Sequence, residues 1–407
     1  MFPQKTIWII NQYASTPETG IGGRHYYLAE ELSKLGYQVY VIAGSYSHLL
    51  RESQKLQDDF MIEEVAPRFS FVWVSLPAYH DAHSKQRIIN EFIFSKKIKK
   101  LISVLLKPDV VYHSSPALIS YFSARYISKV FKVPYVFEER DLWPLTLIEL
   151  GGYSKYHPFI CFLQWIEDRA YRQADFVFSN LLNAVEHLKM RGGRVRKFSW
   201  IPNGISITEM EEKENLSISI EQKIPKDKFI VGYTGTIGVA NAIDDLIGAA
   251  SLLQNLDIHF VLVGSGKEKL VLEQKCQILG LANITFIDAL PKKQVQSMLE
   301  RFHICYIGWH KNSLYRFGIS PNKLPEYMYS GKPIIHAFSG SGDLVKKANA
   351  GLTVEAQNPN AIASAIKKLY DMKQEDRDTL GENGKMFVLH NLTYQQIALK
   401  LVDVLFN

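Results

Sequence analysis

The sequence has few cysteines and no long apolar run. Its three cysteines, Cys161, Cys276 and Cys305, lie far apart among the 407 residues and form no CxxC or metal-binding pattern. This usage is typical of a reducing compartment. No apolar run reaches the length of a membrane span, and the four apolar residues at 7–10 are too few for the core of a signal peptide. Because repeats and low-complexity tracts are missing as well, these absences predict a cytoplasmic globular enzyme.

Two nucleotide-binding fingerprints are also missing. Glycines at 20, 22 and 23 follow the first predicted strand, but a G-x-G-x-x-G fingerprint would also need glycine at the position of His25. The second predicted strand ends without the acidic residue that binds a ribose in dinucleotide-binding folds. No Walker A sequence occurs either. A Rossmann dehydrogenase is therefore disfavoured, and so is nucleoside triphosphate hydrolysis.

Positive charge is concentrated in the first half of the chain. The net charge is +6, and residues 1–203 hold 25 Lys and Arg against 19 Asp and Glu, which accounts for the whole excess. The densest part, Lys85 to Lys107, places apolar residues at helical spacing among lysines. Such a helix lies on an anionic membrane or packs on its own domain, and the aromatic segment at 153–166 favours lipid contact. No nucleic-acid-binding signature is present.

Short β-branched runs alternate with amphipathic helical stretches, which predicts an α/β protein with parallel sheets covered on both faces. The alternation breaks at 201–228, a polar interval that we interpret as the linker between two doubly wound domains. Ligands of such sheets lie beyond the carboxyl ends of the strands, so the following loops are the places to look for chemistry. The predicted strands are 7–10, 39–44, 71–76, 109–114, 135–139 and 176–179, then 229–235, 258–266, 284–289, 304–309 and 333–338.

The loop after the first strand contains Gly22, Gly23 and Arg24. Glycines let a backbone approach a ligand closely, and an arginine beside them can contact an anion. The alternative is a flexible loop before a helix. This loop is a candidate phosphate or acceptor loop.

A second candidate lies after the strand at 135–139, where Glu139, Arg140 and Asp141 are followed by Trp143 and a proline. Charged residues beside an aromatic anchor are typical of an active site, although a salt-bridged surface turn has the same composition. A Glu-x-Asp pair can hold a divalent metal, but a single pair is a weak signal. No metal site is predicted.

A third candidate is the stretch "RFGISPNKLPEYMYSGKPII", residues 316–335. Pro325 restricts the helix to a start within one turn, which makes Asn322 its N-cap. The loop before the helix offers backbone N–H groups to a phosphate, with Arg316 and Lys323 as local cations. Glu326 is then either an ordinary exposed helix residue or the acceptor of two ribose hydroxyl groups.

Together these motifs resemble a retaining glycosyltransferase of glycosyltransferase family 4, over nearly the whole chain. The matching segments are "GIGGRHYYLAEELSKLGYQVYVIAG", "FVFEERDLWP", "WIPNGIS", "FIVGYTGTIG" and "GISPNKLPEYMYSGKPII". Within the family, "RDLWP" and "SPNKL" resemble a bacterial subgroup that builds O-antigen and capsule repeat units and includes N-acetylfucosamine transferases. The resemblance implies the GT-B fold, with two Rossmann-like domains facing across a cleft.

The resemblance also implies domain boundaries and site residues. Residues 1–203 would bind the acceptor, 204–389 the nucleotide sugar, and a helix at 390–407 would return to the first domain. Asp141 would orient the acceptor or handle its proton, beside Arg140 and Glu139. The expected donor-binding residues are Glu326, Lys323, Arg316, Gly318, Ile319, Ser320, Asn322, Gly235 and Thr236.

Three departures from the family pattern concern charge. Gly318 stands where the family has the first glutamate of its E-x7-E motif, and Arg140 stands where it often has histidine. Thr236 and Asn241 replace an arginine and a lysine. We therefore expect Arg316, Lys323, Arg24 or Arg140 to meet the phosphate charge.

The function implied is transfer of a hexose derivative, with retention, from a nucleoside diphosphate sugar to a polyprenyl-diphosphate-linked saccharide. The donor would be a UDP-sugar, and the enzyme would act without a metal at the inner face of the plasma membrane. Two alternatives remain open: a UDP-sugar 2-epimerase of the same architecture, and a catalytically degraded scaffold at the membrane.

Overall fold

The computed structural model describes residues 5–20, 23–79 and 84–407. The chain forms two compact units. The first extends to Pro202 and includes Tyr394–Asn407, and the second is Asn203–Thr393. The chain thus passes from one unit to the other between residues 202 and 203 and again between residues 393 and 394. The boundaries implied by the resemblance were residues 203 and 389.

The first unit contains an eight-stranded sheet with the order β3-β4-β2-β1-β5-β6-β7-β8. All pairs are parallel except β3 with β4, which is antiparallel at the edge. The strands are β1 (Thr6–Ile10), β2 (Gln38–Gly44), β3 (Phe60–Ala66), β4 (Phe69–Val74), β5 (Val110–Ser114), β6 (Tyr135–Glu139), β7 (Phe176–Ser179) and β8 (Phe198–Trp200). The helices are α1 (Arg24–Lys34), α2 (Lys85–Ile98), α3 (Tyr121–Phe131), α4 (Leu145–Glu149), α5 (Pro158–Gln173) and α6 (Ala184–Met190), with 3₁₀ turns at 99–103, 118–120 and 195–197.

Both faces of this sheet are buried. Successive residues of β1 enter opposite apolar layers, Trp8 and Ile10 on one side and Ile7 and Ile9 on the other. Strands buried on both faces are apolar throughout, which explains why "IWII" shows no polar alternation.

The second unit contains a six-stranded parallel sheet with the order β11-β10-β9-β12-β13-β14. Its strands are β9 (Phe229–Thr234), β10 (Ile258–Val263), β11 (Ile284–Ile287), β12 (Ile304–Gly308), β13 (Ile334–Ala337) and β14 (Gly351–Val354). Its helices are α7 (Ile207–Glu211), α8 (Ile218–Glu221), α9 (Ile243–Leu252), α10 (Lys269–Ile278), α11 (Val295–Glu300), α12 (Lys323–Tyr329), α13 (Leu344–Ala348), α14 (Pro359–Asp371) and α15 (Gln374–Asn391), with 3₁₀ turns at 239–241, 292–294 and 313–317. This mixed architecture of two parallel-sheet units confirms the predicted α/β class.

The last helix, α16 (Tyr394–Phe406), belongs to the first unit. Tyr394 stacks on Tyr27 of α1 with ring centroids 5.4 Å apart, and Phe406 stacks on Tyr37 at 5.3 Å. Aromatic pairs of this kind add to the free energy gained from burying the apolar face.

The interval 201–228 does contain the passage between the units, at 202/203, but residues 203–228 belong to the second unit and are not a separate linker. Residues 203–228 pack on the second unit, where α7 begins at the N-cap Ser206 and buries Met210. The hydroxyl of Ser297 donates to the carbonyl oxygen of Glu214 at 2.7 Å. The polar composition of the segment reflects a solvated outer face, while Met210 and Leu216 supply a buried inner one.

Candidate active site

An open cavity of about 520 Å³ lies at the carboxyl ends of strands β9 and β10 in the second unit, beside the start of α12. Parallel α/β sheets bind ligands at this edge. Five of the predicted donor-binding residues line it together: Gly235, Thr236, Asn322, Lys323 and Glu326. The rest of the lining is Thr234, Asn241, Val263, Gly264, Ser265, Ala289, Leu290 and Val295.

Two glycines keep the floor of the cavity open. Gly235 has a φ of +140°, and a Cβ atom there would lie 2.8 Å from the amine of Lys323. Gly264 has a φ of +153°, and its Cβ atom would lie 1.8 Å from the carbonyl oxygen of Gly235. Side chains at these positions would be strained and would displace the lysine or the loop.

Lys323 is a partly buried amine held by neutral groups. Its Nζ atom donates to Tyr233 Oη and to Asn241 Oδ1, each at 2.8 Å, and lies 4.4 Å from the centre of the Tyr233 ring. Burial lowers the pKa of Lys323 to about 8, although the nearby charge of Glu326 acts in the opposite direction. An incoming anion would therefore meet a cation that is poorly compensated by the protein.

Glu326 lies one turn into α12, as the sequence predicted, with its side chain 15% exposed. Its carboxylate forms an ion pair with Lys292, from the 3₁₀ turn at 292–294. The loop before α12 is fixed by Asn203, whose side-chain amide donates to Ser320 O at 2.9 Å and to Asn322 Oδ1 at 3.0 Å. Asn322 precedes the helix as predicted but forms no side-chain cap.

The remaining predicted donor residues lie in the 316–320 loop but outside the cavity lining. Arg316 is exposed and its guanidinium lies 4.6 Å from the centre of the Phe317 ring, so the structure does not bring it to the cavity. Gly318 has a φ of +97° and Ile319 is 9% exposed. At that φ a glutamate, as in the family pattern, would be strained.

In the first unit, Arg24 is engaged inside the protein. Its guanidinium lies 2.6 Å from the carboxylate of Glu138 and also donates to the carbonyl oxygens of Ile201 and Pro202. Burial alone would raise the pKa of Glu138, but the charge of Arg24 and a hydrogen bond from His25 hold it well below its usual value. The expectation that Arg24 contacts phosphate is therefore corrected: it is 4% exposed and compensated by a buried carboxylate.

Gly23 precedes α1, and a Cβ atom there would lie 2.4 Å from the Tyr27 ring. This glycine makes room for a packed side chain. Gly22 lies outside the described residues.

Glu139, predicted to be catalytic, is 1% exposed. It accepts a hydrogen bond from Tyr171 Oη at 2.7 Å, and burial followed by the charge of Glu167 raises its pKa well above the usual value. A buried carboxyl of this kind cannot touch a substrate.

Arg140 and Asp141 occupy the loop directly after β6. Asp141 is exposed, and its carbonyl oxygen accepts from the Trp143 N–H at 2.8 Å. The backbone N–H of Arg140 donates to Ser115 Oγ at 2.9 Å. The loop is thus ordered by its neighbours, while the carboxylate of Asp141 faces solvent at the ligand-binding edge of the first sheet.

Sequence reasoning missed a cluster at the same edge. The Arg87 guanidinium lies 5.5 Å from the ring centre of Tyr13 and 5.6 Å from that of Trp143, and burial raises the pKa of Glu91 to about 7. Arg87 and Glu91 lie within the basic segment 85–107, for which the sequence analysis weighed only contact with a membrane surface against packing on its own domain. Among the described residues, no group of three or more His, Cys, Asp or Glu side chains could hold a metal ion.

Both halves of the chain match models of known families. Residues 19–209 match Glycosyltransferase Family 4, and residues 216–387 match Glycosyl transferases group 1. These matches indicate a glycosyltransferase. The curated relatives agree: TuaC of Bacillus subtilis, named as a teichuronic acid biosynthesis glycosyltransferase, is 22% identical over 91% of this chain and 90% of its own. WcaI of Escherichia coli, named as a colanic acid biosynthesis glycosyl transferase, is 24% identical over 44% and 45%.

Solved structures establish the fold of this glycosyltransferase as GT-B. Sucrose-phosphate synthase from Thermosynechococcus elongatus aligns with a TM-score of 0.73 at 18% identity, over 98% of both chains. The Escherichia coli trehalose-6-phosphate structure bound with UDP-2-fluoro glucose aligns at 0.76 with 9% identity, and Anabaena HepE with UDP and glucose at 0.66 with 14%, each over 99% of both chains. The predicted GT-B fold is confirmed.

Proposed function

We propose that this glycosyltransferase moves a hexose derivative from a UDP-sugar to a lipid-diphosphate-linked saccharide, with retention, in the biosynthesis of a bacterial surface polysaccharide such as O-antigen or capsule. The observation that carries this proposal is the cavity of the second unit, where the amine of Lys323 and the carboxylate of Glu326 line one space. The amine suits a diphosphate, and the carboxylate suits two ribose hydroxyl groups.

The relatives support the choice of donor and pathway. HepE is solved with UDP and glucose, and the Escherichia coli structure carries UDP-2-fluoro glucose. TuaC and WcaI are both named for surface polysaccharides. Because "RDLWP" and "SPNKL" resemble the N-acetylfucosamine transferase subgroup, UDP-N-acetylfucosamine is the first donor to test.

The proposed reaction breaks the bond between the anomeric carbon and the diphosphate and forms a bond from that carbon to the acceptor oxygen on the same face. Lys323 stabilises the charge that develops on the departing UDP, which lowers the barrier. The acceptor proton passes to the departing phosphate. Asp141 orients the acceptor hydroxyl, in a loop whose Arg140 N–H is held by Ser115 Oγ.

We further propose that the transfer needs no divalent metal, since Lys323 meets the leaving-group charge. Purified enzyme treated with EDTA should then keep its turnover. Activity that disappears with EDTA and returns with Mg²⁺ would contradict this part of the proposal.

The first experiment is thermal stabilisation of the full chain by UDP, GDP and a panel of their sugars, with Glu326→Ala alongside. UDP or one of its sugars should raise the melting temperature, and Glu326→Ala should remove the rise. If no nucleotide stabilises the protein, the donor site is wrong.

A transfer assay with a polyprenyl-diphosphate-linked saccharide then separates the alternatives. NMR of the product reports its anomeric configuration. A new epimer of the UDP-sugar formed without an acceptor would identify a 2-epimerase, and binding without any turnover would identify a scaffold.

The acceptor in this proposal is lipid-linked, so we also propose that the first unit docks on the anionic inner face of the plasma membrane. The structure changes the expected contact surface. In the basic segment 85–107, Phe94, Ile98 and Leu101 are fully buried in the core. The apolar residues that the sequence spaces along one helix face therefore pack against the protein and do not face a membrane. Lys97 and Lys100 both pair with Asp59, at 2.8 and 2.7 Å.

A different set of side chains on α2, α3 and α5 supports docking. We call it the aromatic surface: Phe92, Phe122, Tyr126, Phe162 and Trp165. Phe92 and Trp165 are 48% and 43% exposed, and Phe162 stacks between them with centroid distances of 6.4 and 6.3 Å. Lys99 and Arg169 lie over rings of this surface at 5.3 and 4.5 Å. Exposed aromatic rings beside cations are typical of contact with an anionic lipid interface.

A further inference from the structure

Lys292 is a cation that contacts Glu326, a lining residue of the cavity, from 34 positions earlier in the chain. It opens the 3₁₀ turn that follows β11, and its ammonium group forms an ion pair with Oε1 of Glu326. The Lys292 side chain is 43% exposed and that of Glu326 15%. A second contact joins this region to α12, because the side-chain amide of Gln296 donates a hydrogen bond to the backbone carbonyl oxygen of Glu326 at 3.2 Å.

This pair addresses a difficulty in the proposed donor site, on which the inference rests. A carboxylate that binds the ribose stands close to a diphosphate with several negative charges, and like charges repel. Lys323 is committed to the diphosphate and is held by Tyr233 and Asn241. The site therefore needs a second cation to compensate Glu326.

We propose that Lys292 is a positioning residue for the nucleotide: it neutralises Glu326 and fixes its carboxylate at the ribose. A carboxylate has two oxygens and about four lone-pair sites, so one bond from Lys292 leaves acceptors for both ribose hydroxyl groups. Fixing the carboxylate before the ligand arrives also lowers the entropy lost on binding.

The neighbouring residue provides a matched control. Lys293 belongs to the same 3₁₀ turn, is 52% exposed and pairs with Glu212 at 3.3 Å. Neither lysine is among the lining residues of the cavity, but Lys292 pairs with one of them, Glu326, whereas Glu212 is not a lining residue. Removing its charge alters the same turn but leaves the ion pair between Lys292 and Glu326 in place.

The test is calorimetric binding of UDP and of uridine to the full-length wild type, Lys292→Met, Lys292→Arg and Lys293→Met. Lys292→Met should weaken UDP binding about fivefold, which corresponds to a partly exposed ion pair, and should weaken uridine binding much less because uridine carries no diphosphate. Lys292→Arg should retain UDP affinity, and Lys293→Met should match the wild type for both ligands. Melting temperatures without ligand verify that each variant is folded.

Repeating Lys292→Met in a Glu326→Gln background shows whether the lysine acts through the glutamate. Its effect on UDP affinity should largely vanish there, because no charge remains to be neutralised. An effect that persists in full would overturn the positioning role. Wild-type or tighter UDP binding by Lys292→Met would also overturn it, since the lysine would then only compete with the ribose. A wild type that binds no UDP would instead refute the proposed function.

Discussion

Lys323 is the residue on which the proposed chemistry depends most. The cations that the family places after β9 are replaced by Thr236 and Asn241, and Asn241 instead accepts a hydrogen bond from the Lys323 amine. In the proposed function, one lysine in the cavity thus performs a task that the family pattern gives to two side chains.

The pH dependence of UDP affinity tests this role. The pKa of Lys323 in the free protein is lowered to about 8, so the amine is charged below that pH and neutral above it. Since a bound diphosphate favours the charged form, binding above pH 8 requires uptake of a proton. UDP affinity should be constant from about pH 7 to 8 and then fall by about tenfold per pH unit until the pKa of the complex is reached.

Calorimetry across this range makes the measurement. The matched control is Lys323→Arg, because an arginine keeps its charge throughout and should remove the pH dependence. An affinity that stays flat for the wild type up to about pH 9.5 would contradict the predicted proton uptake by Lys323, and a lower affinity of Lys323→Met at pH 7 then tests separately whether the charged amine binds the diphosphate.

Asp141 provides the second prediction at this scale. Asp141→Asn keeps the size of an exposed side chain but removes its charge, so stability and UDP affinity should not change. Turnover should fall about a hundredfold if the carboxylate handles or orients the acceptor hydroxyl. The measurement is steady-state transfer with saturating donor, and Glu149→Gln, a nearby acidic residue on α4, is the control. Near-normal turnover would reject the role.

Sequence reasoning placed residues together where they are close along the chain. Lys323 and Glu326 are three positions apart on one helix, so helical spacing puts them on one face, and both line the cavity. Arg24 was mispredicted because its partner, Glu138, is 114 positions away. Lys292 went unnoticed for the same reason, since ion pairs between distant segments leave no local pattern.

At the scale of elements, the buried parallel strands were predicted to within a few residues because they are continuous apolar runs. Three strands were missed. β3 is an antiparallel edge strand with exposed Glu63 and Glu64, β8 has three residues, and β14 begins with Gly351. Edge strands bury only part of their surface, so their sequences lack the apolar signal.

α16 allows a quantitative test of an element. Leu401 is 1% exposed within the apolar layer that also holds Ile7 and Ile9, whereas Leu399 on the same helix is 43% exposed. Leu401→Ala should lower the free energy of unfolding by about 2–5 kcal/mol, because it leaves a cavity. Leu399→Ala should cost less than about 1 kcal/mol.

Denaturant unfolding, followed by circular dichroism, compares the two variants. A protein of two units can unfold in two separate transitions. Because α16 belongs to the first unit, Leu401→Ala should lower the free energy of unfolding of that unit and leave the transition of the second unit unchanged. Equal losses for the two leucines would show that α16 is not held by its buried face.

At the scale of the whole molecule, the uneven charge is the main feature. All of the net positive charge arises from residues 1–203, and the aromatic surface belongs to the same unit. No helix among the described residues is long and apolar enough to cross a membrane. The composition showed which half of the chain carries the positive charge. It could not show which face of α2 is buried, because both faces contain apolar residues and only the packing of the folded protein distinguishes them.

Vesicle binding tests whether this unit meets lipid. The double variant Phe92→Ser with Trp165→Ser removes two partly exposed side chains from the aromatic surface. The control is Leu270→Ser with Ile278→Ser on α10 of the second unit, where the two side chains are 72% and 85% exposed. In sedimentation with vesicles containing phosphatidylglycerol, the wild type and the α10 variant should bind and the aromatic-surface variant should not.

The charges near the aromatic surface should contribute as well. Binding should weaken as the salt concentration rises, and it should be lost when Lys96 and Lys99, which are both exposed, are changed to Glu. If the aromatic-surface variant binds as well as the wild type, another face of the molecule meets the lipid-linked acceptor, or the acceptor reaches the enzyme without membrane docking.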